Sequence, residues 1–140
     1  MNNIHGTLIS FQNKGILFIG PSGAGKSDLA LRFVVEKKAL LVADDQVIIS
    51  LKNGYLYGSA PKTIFGKIEA RGIGIVDVET KEEEKIVLCV ELVSSPDDIE
   101  RFPKPEHIDF LGISVPKIRL YAFECSTVCK IILKICSIIS

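Results

Sequence analysis

The residues with the clearest chemical purpose run from position 20 to position 27. Gly20-Pro21-Ser22-Gly23-Ala24-Gly25-Lys26-Ser27 matches the pattern GxxxxGK[ST] at every position. Glycines at 20, 23 and 25 open backbone angles closed to other residues, so successive amide N–H groups can wrap a polyphosphate. A helix beginning where the loop ends adds its positive pole to the anion site. Lys26 supplies a mobile positive charge for β- and γ-phosphates, and the Ser27 hydroxyl is the right type of ligand for Mg²⁺. A structural turn has no use for a Lys-Ser pair at this spacing, so the motif predicts nucleotide binding. The acids come next. Leu40-Leu41-Val42-Ala43 is an apolar run ending at Asp44-Asp45, the form of a core strand that carries a carboxylate to the metal side of a bound phosphate. Adjacent side chains on a strand point to opposite faces. One acid is therefore expected toward the γ-phosphate or an attacking hydroxyl, and the other toward the metal or a backbone partner.

The elements that must hold these groups are legible on both sides of the loop. Gly6 to Phe11 reads as a strand, Gln12-Asn13-Lys14-Gly15 as a turn, and Ile16 to Ile19 as a strand buried on both faces. Ser27 to Lys38 reads as a helix with Leu29, Ala30, Phe33 and Val34 on one face and Lys37 and Lys38 near its negative end. Val47 to Leu51 and Tyr55 to Tyr57 form a predicted hairpin around Lys52-Asn53-Gly54. Further strands are predicted at Ile73 to Val78 and Ile86 to Val93, separated by a solvated turn at Lys81-Glu82-Glu83-Glu84-Lys85. Ser95-Pro96-Asp97-Asp98 opens a short helical segment through Glu100, stopped by Pro103 and Pro105. The apolar stretch from Val128 to Ile139 carries Lys130 and Lys134 and is too short to span a bilayer, so it is expected to pack as a helix or a strand.

At 140 residues the sequence has the length of one domain, taken here as residues 1–140, of α/β class with a mixed central sheet and flanking helices. Seventeen Lys and Arg balance seventeen Asp and Glu, so no net charge draws the chain to nucleic acid or to an anionic membrane. Anion affinity must be local, at Lys26. The 47% hydrophobic and 24% charged composition is that of a folding domain and not of a disordered one. The N-terminus shows neither a basic leader nor an apolar signal core, which makes the cytoplasm the expected location. Cys89, Cys125, Cys129 and Cys136 lack the spacing of zinc or redox sites and are expected to be reduced and mostly buried. No NKxD motif supports a GTPase reading.

The segment Ile68-Glu69-Ala70-Arg71-Gly72-Ile73-Gly74-Ile75-Val76-Asp77-Val78 resembles the signature of the HPr kinase/phosphorylase family. His5-Gly6, the loop from Gly20 to Ser27, Ala43-Asp44-Asp45, Ala60-Pro61 and Arg101 are similar to that family's catalytic domain in the same order, over residues 4 to about 120. The resemblance implies a single P-loop domain with a phosphoenolpyruvate carboxykinase-like phosphate site. It further implies an ATP- and Mg²⁺-dependent kinase that phosphorylates a serine of HPr, the small phosphocarrier of the phosphotransferase system. On this resemblance Asp44 is the proton acceptor, His5, Lys26 and Arg101 are catalytic, and Glu69 joins Ser27 and Asp45 as Mg²⁺ ligands. Arg71 with Gly72 and Gly74 is expected to form a loop over the site. After Pro116-Lys117-Ile118 the family's basic, Gly-containing segment is replaced by Arg119-Leu120-Tyr121-Ala122-Phe123-Glu124-Cys125, which weakens the expectation of phosphorylase activity and of HPr docking through C-terminal helices. The hexamers of full-length members leave a homo-oligomer open for this chain. The competing readings are a non-catalytic nucleotide sensor and a small-molecule phosphotransferase.

Overall fold

Side chains that alternate with period two bury both faces of a sheet, and a helix with an apolar stripe covers one of those faces. The computed structural model describes residues 2–61 and 66–138 and shows this arrangement. In chain order the elements are β1 (Asn2–His5), β2 (Thr7–Phe11), β3 (Lys14–Ile19), α1 (Lys26–Lys37), β4 (Leu40–Ala43), β5 (Gln46–Lys52) and β6 (Tyr55–Ser59). They continue with β7 (Lys67–Ala70), β8 (Gly74–Asp77), β9 (Glu83–Leu92), a 3₁₀ turn at Pro96–Asp98, β10 (Glu106–Phe110), β11 (Ile113–Leu120) and α2 (Thr127–Ser137).

The main sheet runs β1-β5-β6-β9-β3-β2-β4, with β11 joined to β9 and β10 to β11. β3, β9 and β11 are parallel neighbours, while β2 and β6 enter antiparallel, so the sheet is mixed as expected. β9 pairs with β3 along one edge and serves two partners along the other. Glu83 to Lys85 pair with β6, and Cys89 to Leu92 pair with β11. The β2–β3 hairpin turns at Gln12 and Asn13, whose φ angles of 51° and 62° match the right-handed twist of the strands they join.

Period two then divides the core. Ile9, Phe11, Ile16, Phe18, Leu88 and Val90 face the helices, and Leu8, Leu17 and Cys89 face the opposite core with Val42, Val47, Ile49 and Leu56. α1 buries Leu29, Ala30 and Phe33 on the first face, where the Phe33 ring meets Phe11 edge-on at 5.7 Å. The C-terminal apolar stretch resolves as a helix. α2 sets Val128, Ile131 and Ile135 into the same core as α1, and Ile139 lies outside the described residues. No helix among the described residues is long and apolar enough to cross a membrane.

Several sequence expectations are corrected. The strands β1, β7, β10 and β11 were not among those predicted; β7, β10 and β11 bury only alternate or scattered positions, and β1 is largely exposed. The run Lys81 to Lys85 is not a solvated turn throughout, because β9 begins at Glu83 and Glu84 is buried. The Glu84 carboxylate accepts from Ser10 Oγ at 2.7 Å, from Lys81 Nζ and from the Lys85 amide at 3.0 Å. Burial works to raise its pKa, but these donors outweigh it and hold the carboxyl below the usual range. All four cysteines are free, yet Cys89 is the one that is buried; Cys125, Cys129 and Cys136 are exposed. Those three lie in the segment before α2 and on the face of α2 turned away from Val128, Ile131 and Ile135, a placement that sequence spacing alone did not reveal.

Candidate active site

The loop between β3 and α1 is shaped by two close approaches. Gly20 takes φ 144° and passes so near β9 that a Cβ there would lie 2.5 Å from the Leu92 carbonyl oxygen. Gly25 takes φ 100° at the start of α1, where a Cβ would lie 2.7 Å from the Ala122 Cβ and 3.0 Å from the Phe123 ring. The loop is closed by the Ala24 N–H donating to the Pro21 carbonyl at 3.1 Å, and α1 opens with the Leu29 N–H donating to Gly25 at 2.9 Å. Lys26 arches back over this turn. Its Nζ donates to the carbonyls of Gly20 at 2.8 Å and Pro21 at 3.0 Å. Burial lowers the Lys26 pKa, and the nearby carboxylates of Asp45 and Asp44 oppose that shift.

Asp44 and Asp45 stand in the bend just beyond β4 and not on the strand itself. Their separation arises from the bend, where Asp45 adopts φ 74°, and not from strand alternation. Asp44 Oδ1 accepts from Ser27 Oγ at 2.7 Å and from Thr7 Oγ1 at 3.0 Å, tying the end of β4 to the first turn of α1 and to β2. Asp45 instead turns toward β1, with its Oδ1 3.5 Å from His5 Nδ1. The Gly6 N–H donates to the Asp45 carbonyl at 3.1 Å, so the same backbone contact holds both residues.

A cavity of about 350 Å³ opens over the loop. Lys26 and Ser27 line it with His5 and Asp45, and the β7–β8 hairpin adds Glu69 and Arg71. Thus His5, Lys26, Ser27, Asp45 and Glu69, all predicted from sequence, meet at one place, together with Gly23 and Gly25. Asp44 reaches it through Ser27. Arg101 is not brought there: it is exposed in the segment after the 3₁₀ turn, with its guanidinium 5.7 Å above the Phe102 ring. Arg71 instead brings a guanidinium to the cavity from the turn between β7 and β8. This agrees with the loop over the site expected for Arg71, Gly72 and Gly74. Thr7 and Phe123 were missed altogether; a Thr in a buried strand and a Phe near the C-terminus carry no spacing signal that separates them from core residues.

Among the described residues no group of three or more His, Cys, Asp or Glu is gathered for a metal ion. The oxygen donors at hand, Ser27 Oγ with the Asp44 and Glu69 carboxylates, suit a hard cation that takes most of its shell from phosphate and water, as Mg²⁺ does. The site therefore fits Mg²⁺ held with a nucleotide better than it fits a cation caged by protein alone.

Comparison with known proteins gives the same frame. A family model described as the HPr serine kinase C-terminal domain matches residues 1–137, extending the similarity seen in sequence from about residue 120 through α2. An HPr kinase/phosphorylase of Clostridium botulinum (strain Eklund 17B / Type B) is 36% identical over 125 residues, covering 82% of this chain and 41% of the relative. One of Caldicellulosiruptor bescii is 40% identical over 125 residues, covering 81% of this chain and 40% of the relative. The chain thus spans about two fifths of the length of these curated relatives. A solved structure of the HPr(Ser) kinase/phosphatase from Coxiella burnetii superimposes with a TM-score of 0.84 at 26% identity, over 97% of this chain and 88% of that one. With a mixed sheet, a glycine loop leading into α1 and a family match through α2, the chain belongs to the HPr serine kinase C-terminal domain family.

Proposed function

We propose that this chain transfers the γ-phosphoryl group of ATP to a serine of HPr or an HPr-like phosphocarrier in the cytoplasm. The observation that carries the reading is the pairing of Asp45 with His5 at the cavity that Lys26 and Ser27 also line. The names of the relatives supply the carrier; the geometry supplies a way to perform the chemistry. The glycine loop and the α1 N-terminus receive the polyphosphate, and Lys26 balances its charge. Ser27 and Glu69, with Asp44 behind Ser27, would hold Mg²⁺, which would supply charge neutralisation of the phosphate oxygens.

The proton acceptor on this reading is Asp45 and not Asp44. Asp44 has one carboxylate oxygen engaged by both Ser27 and Thr7, which suits it to orient the Ser27 hydroxyl. Asp45 is exposed to the cavity, and its carboxylate can accept the serine proton as the hydroxyl attacks. His5 orients that carboxylate. Arg71 lines the cavity, where its planar cation can bind the transferring phosphoryl oxygens, whereas Arg101, the catalytic arginine on the resemblance, does not line it.

The test incubates the protein with γ-labelled ATP, Mg²⁺ and a purified HPr-type carrier. Label is expected on a carrier serine, and Asp45→Asn is expected to lower its rate by about 10²- to 10⁴-fold with nucleotide affinity retained. Tight nucleotide binding without transfer to any carrier overturns the kinase reading in favour of a nucleotide sensor. Full retention of transfer by Asp45→Asn overturns the assignment of the proton acceptor.

A further inference from the structure

The cavity over the glycine loop is lined by many polar side chains, yet Leu31 and the aromatic ring of Phe123 give it apolar walls as well. Phe123 lines it while remaining 54% exposed, an expensive placement for a phenyl ring that makes no use of its surface. The ring is nevertheless fixed. It stands edge-on to Tyr121, with centroids 5.6 Å apart and planes at 78°. Its atoms lie 3.0 and 3.2 Å from the position a Cβ would occupy on Gly25, so the ring packs directly on the loop and only glycine admits it. The backbone just before it is anchored as well: Arg32 on α1 donates to the Ala122 carbonyl, and Thr127 Oγ1 donates to the Tyr121 carbonyl at 2.6 Å. An exposed aromatic ring with its orientation held from several sides is a preorganised stacking surface, because little further entropy is lost when a flat ligand covers it.

We infer that Phe123 is the base-stacking platform of the nucleotide site, receiving the flat face of the nucleobase while the loop holds the phosphates. This rests on the proposed polyphosphate binding by the loop and adds to it the part of the ligand that the loop does not address. Glycine-loop amides and Lys26 recognise only phosphate, which every nucleoside triphosphate shares. Stacking on a phenyl face is also tolerant of base identity, since each base has a π-face. The site is therefore built to favour nucleoside triphosphates over inorganic polyphosphate, with little discrimination between one base and another.

Because the chain contains no tryptophan, Phe123→Trp introduces a single fluorescent reporter at the platform. Its emission is expected to be quenched by ATP and by GTP and left unchanged by bound tripolyphosphate, which has the phosphates without a base. In parallel, Phe123→Ala is expected to weaken ATP binding by about tenfold, as loss of one stacked base does, while tripolyphosphate affinity stays within about twofold. Equal weakening of both ligands would show that Phe123 only braces the loop, and no change in either would show that the base lies elsewhere; each overturns the inference. If the unaltered protein binds neither ATP nor tripolyphosphate, the polyphosphate reading of the loop falls first and this one falls with it.

Discussion

A single oxygen, Asp44 Oδ1, shows how much of this site is decided by individual hydrogen bonds. It accepts from Ser27 on α1 and Thr7 on β2, side chains from two elements that sequence separates by 20 positions, and so orients the Ser27 hydroxyl at the cavity. Asp44→Asn keeps the shape but replaces a charged acceptor with a neutral one. It is expected to raise the Mg²⁺ concentration needed for half-maximal phosphoryl transfer, with a smaller effect on the rate at saturating Mg²⁺ than Asp45→Asn produces; titrating Mg²⁺ against initial rate checks this. Gly25 tests the loop in a different way. An added methyl would meet Ala122 and the Phe123 ring and would sit at φ 100°, so Gly25→Ala is expected to cost about 1–3 kcal/mol, read from urea unfolding, and to weaken ATP binding in the same protein.

Among the elements, the junction of β9 with the β2–β3 hairpin carries the most distinctive polar contact. Glu84 is buried opposite Ser10, and Lys81 closes over it from the turn before β9. The folded carboxyl titrates below its unfolded value, so its stabilisation is present above the unfolded pKa near 4.5 and is lost as pH falls through the lower folded value. Glu84→Gln is therefore expected to cost about 2 kcal/mol at pH 7, the scale of hydrogen bonds to a charged group, and to cost progressively less as pH falls below 4.5. Urea denaturation of both proteins at several pH values checks the sign: a penalty that grows toward acid would contradict the assignment. A sequence scan reads Lys81 to Lys85 as a solvated charge run because three consecutive glutamates carry no information about which one the strand turns inward.

For the whole molecule, the decisive feature is that α1 and α2 share one face of the mixed sheet. Ile131 is fully buried in the core that also holds Phe33 and Phe18, so Ile131→Ala is expected to destabilise the chain by about 2–4 kcal/mol, measured by thermal or urea unfolding. Cysteine reactivity reports the same architecture. The Cys89 thiol lies in the core on the sheet face opposite the helices, where burial pushes its pKa up to about 12, while Cys125, Cys129 and Cys136 are exposed. A thiol reagent at pH 8 is expected to titrate three cysteines in the native protein and the fourth only on unfolding; rapid modification of all four would show that the sheet opens.

How much was legible in the sequence follows from the range of each signal. The glycine loop, α1, the β2–β3 hairpin and the β5–β6 hairpin are local: a motif, a 3.6-residue stripe and a turn residue specify them within about a dozen positions. The apolar stretch after Val128 could be recognised as buried, but helix and strand both accept such a run, and the choice appears only in the fold, where it packs as a helix in the core that α1 also fills. β11 gains its place in the sheet from β9, earlier in the chain, and β10 pairs only with β11, so the position of this hairpin is set by a contact that no local pattern announces. The same distinction governs the site. Residue types and spacing by themselves determined that a glycine-rich loop ending in Lys26 and Ser27 precedes a pair of acids. Tertiary structure alone decided that Asp44 turns to Ser27 while Asp45 turns to His5, that Arg71 and not Arg101 reaches the cavity, and that Phe123 stands beside Gly25. The physical reason is that hydrogen bonds and packing act across space between β1, α1, the β7–β8 hairpin and the segment before α2, whereas sequence periodicity records only what each element does along its own length.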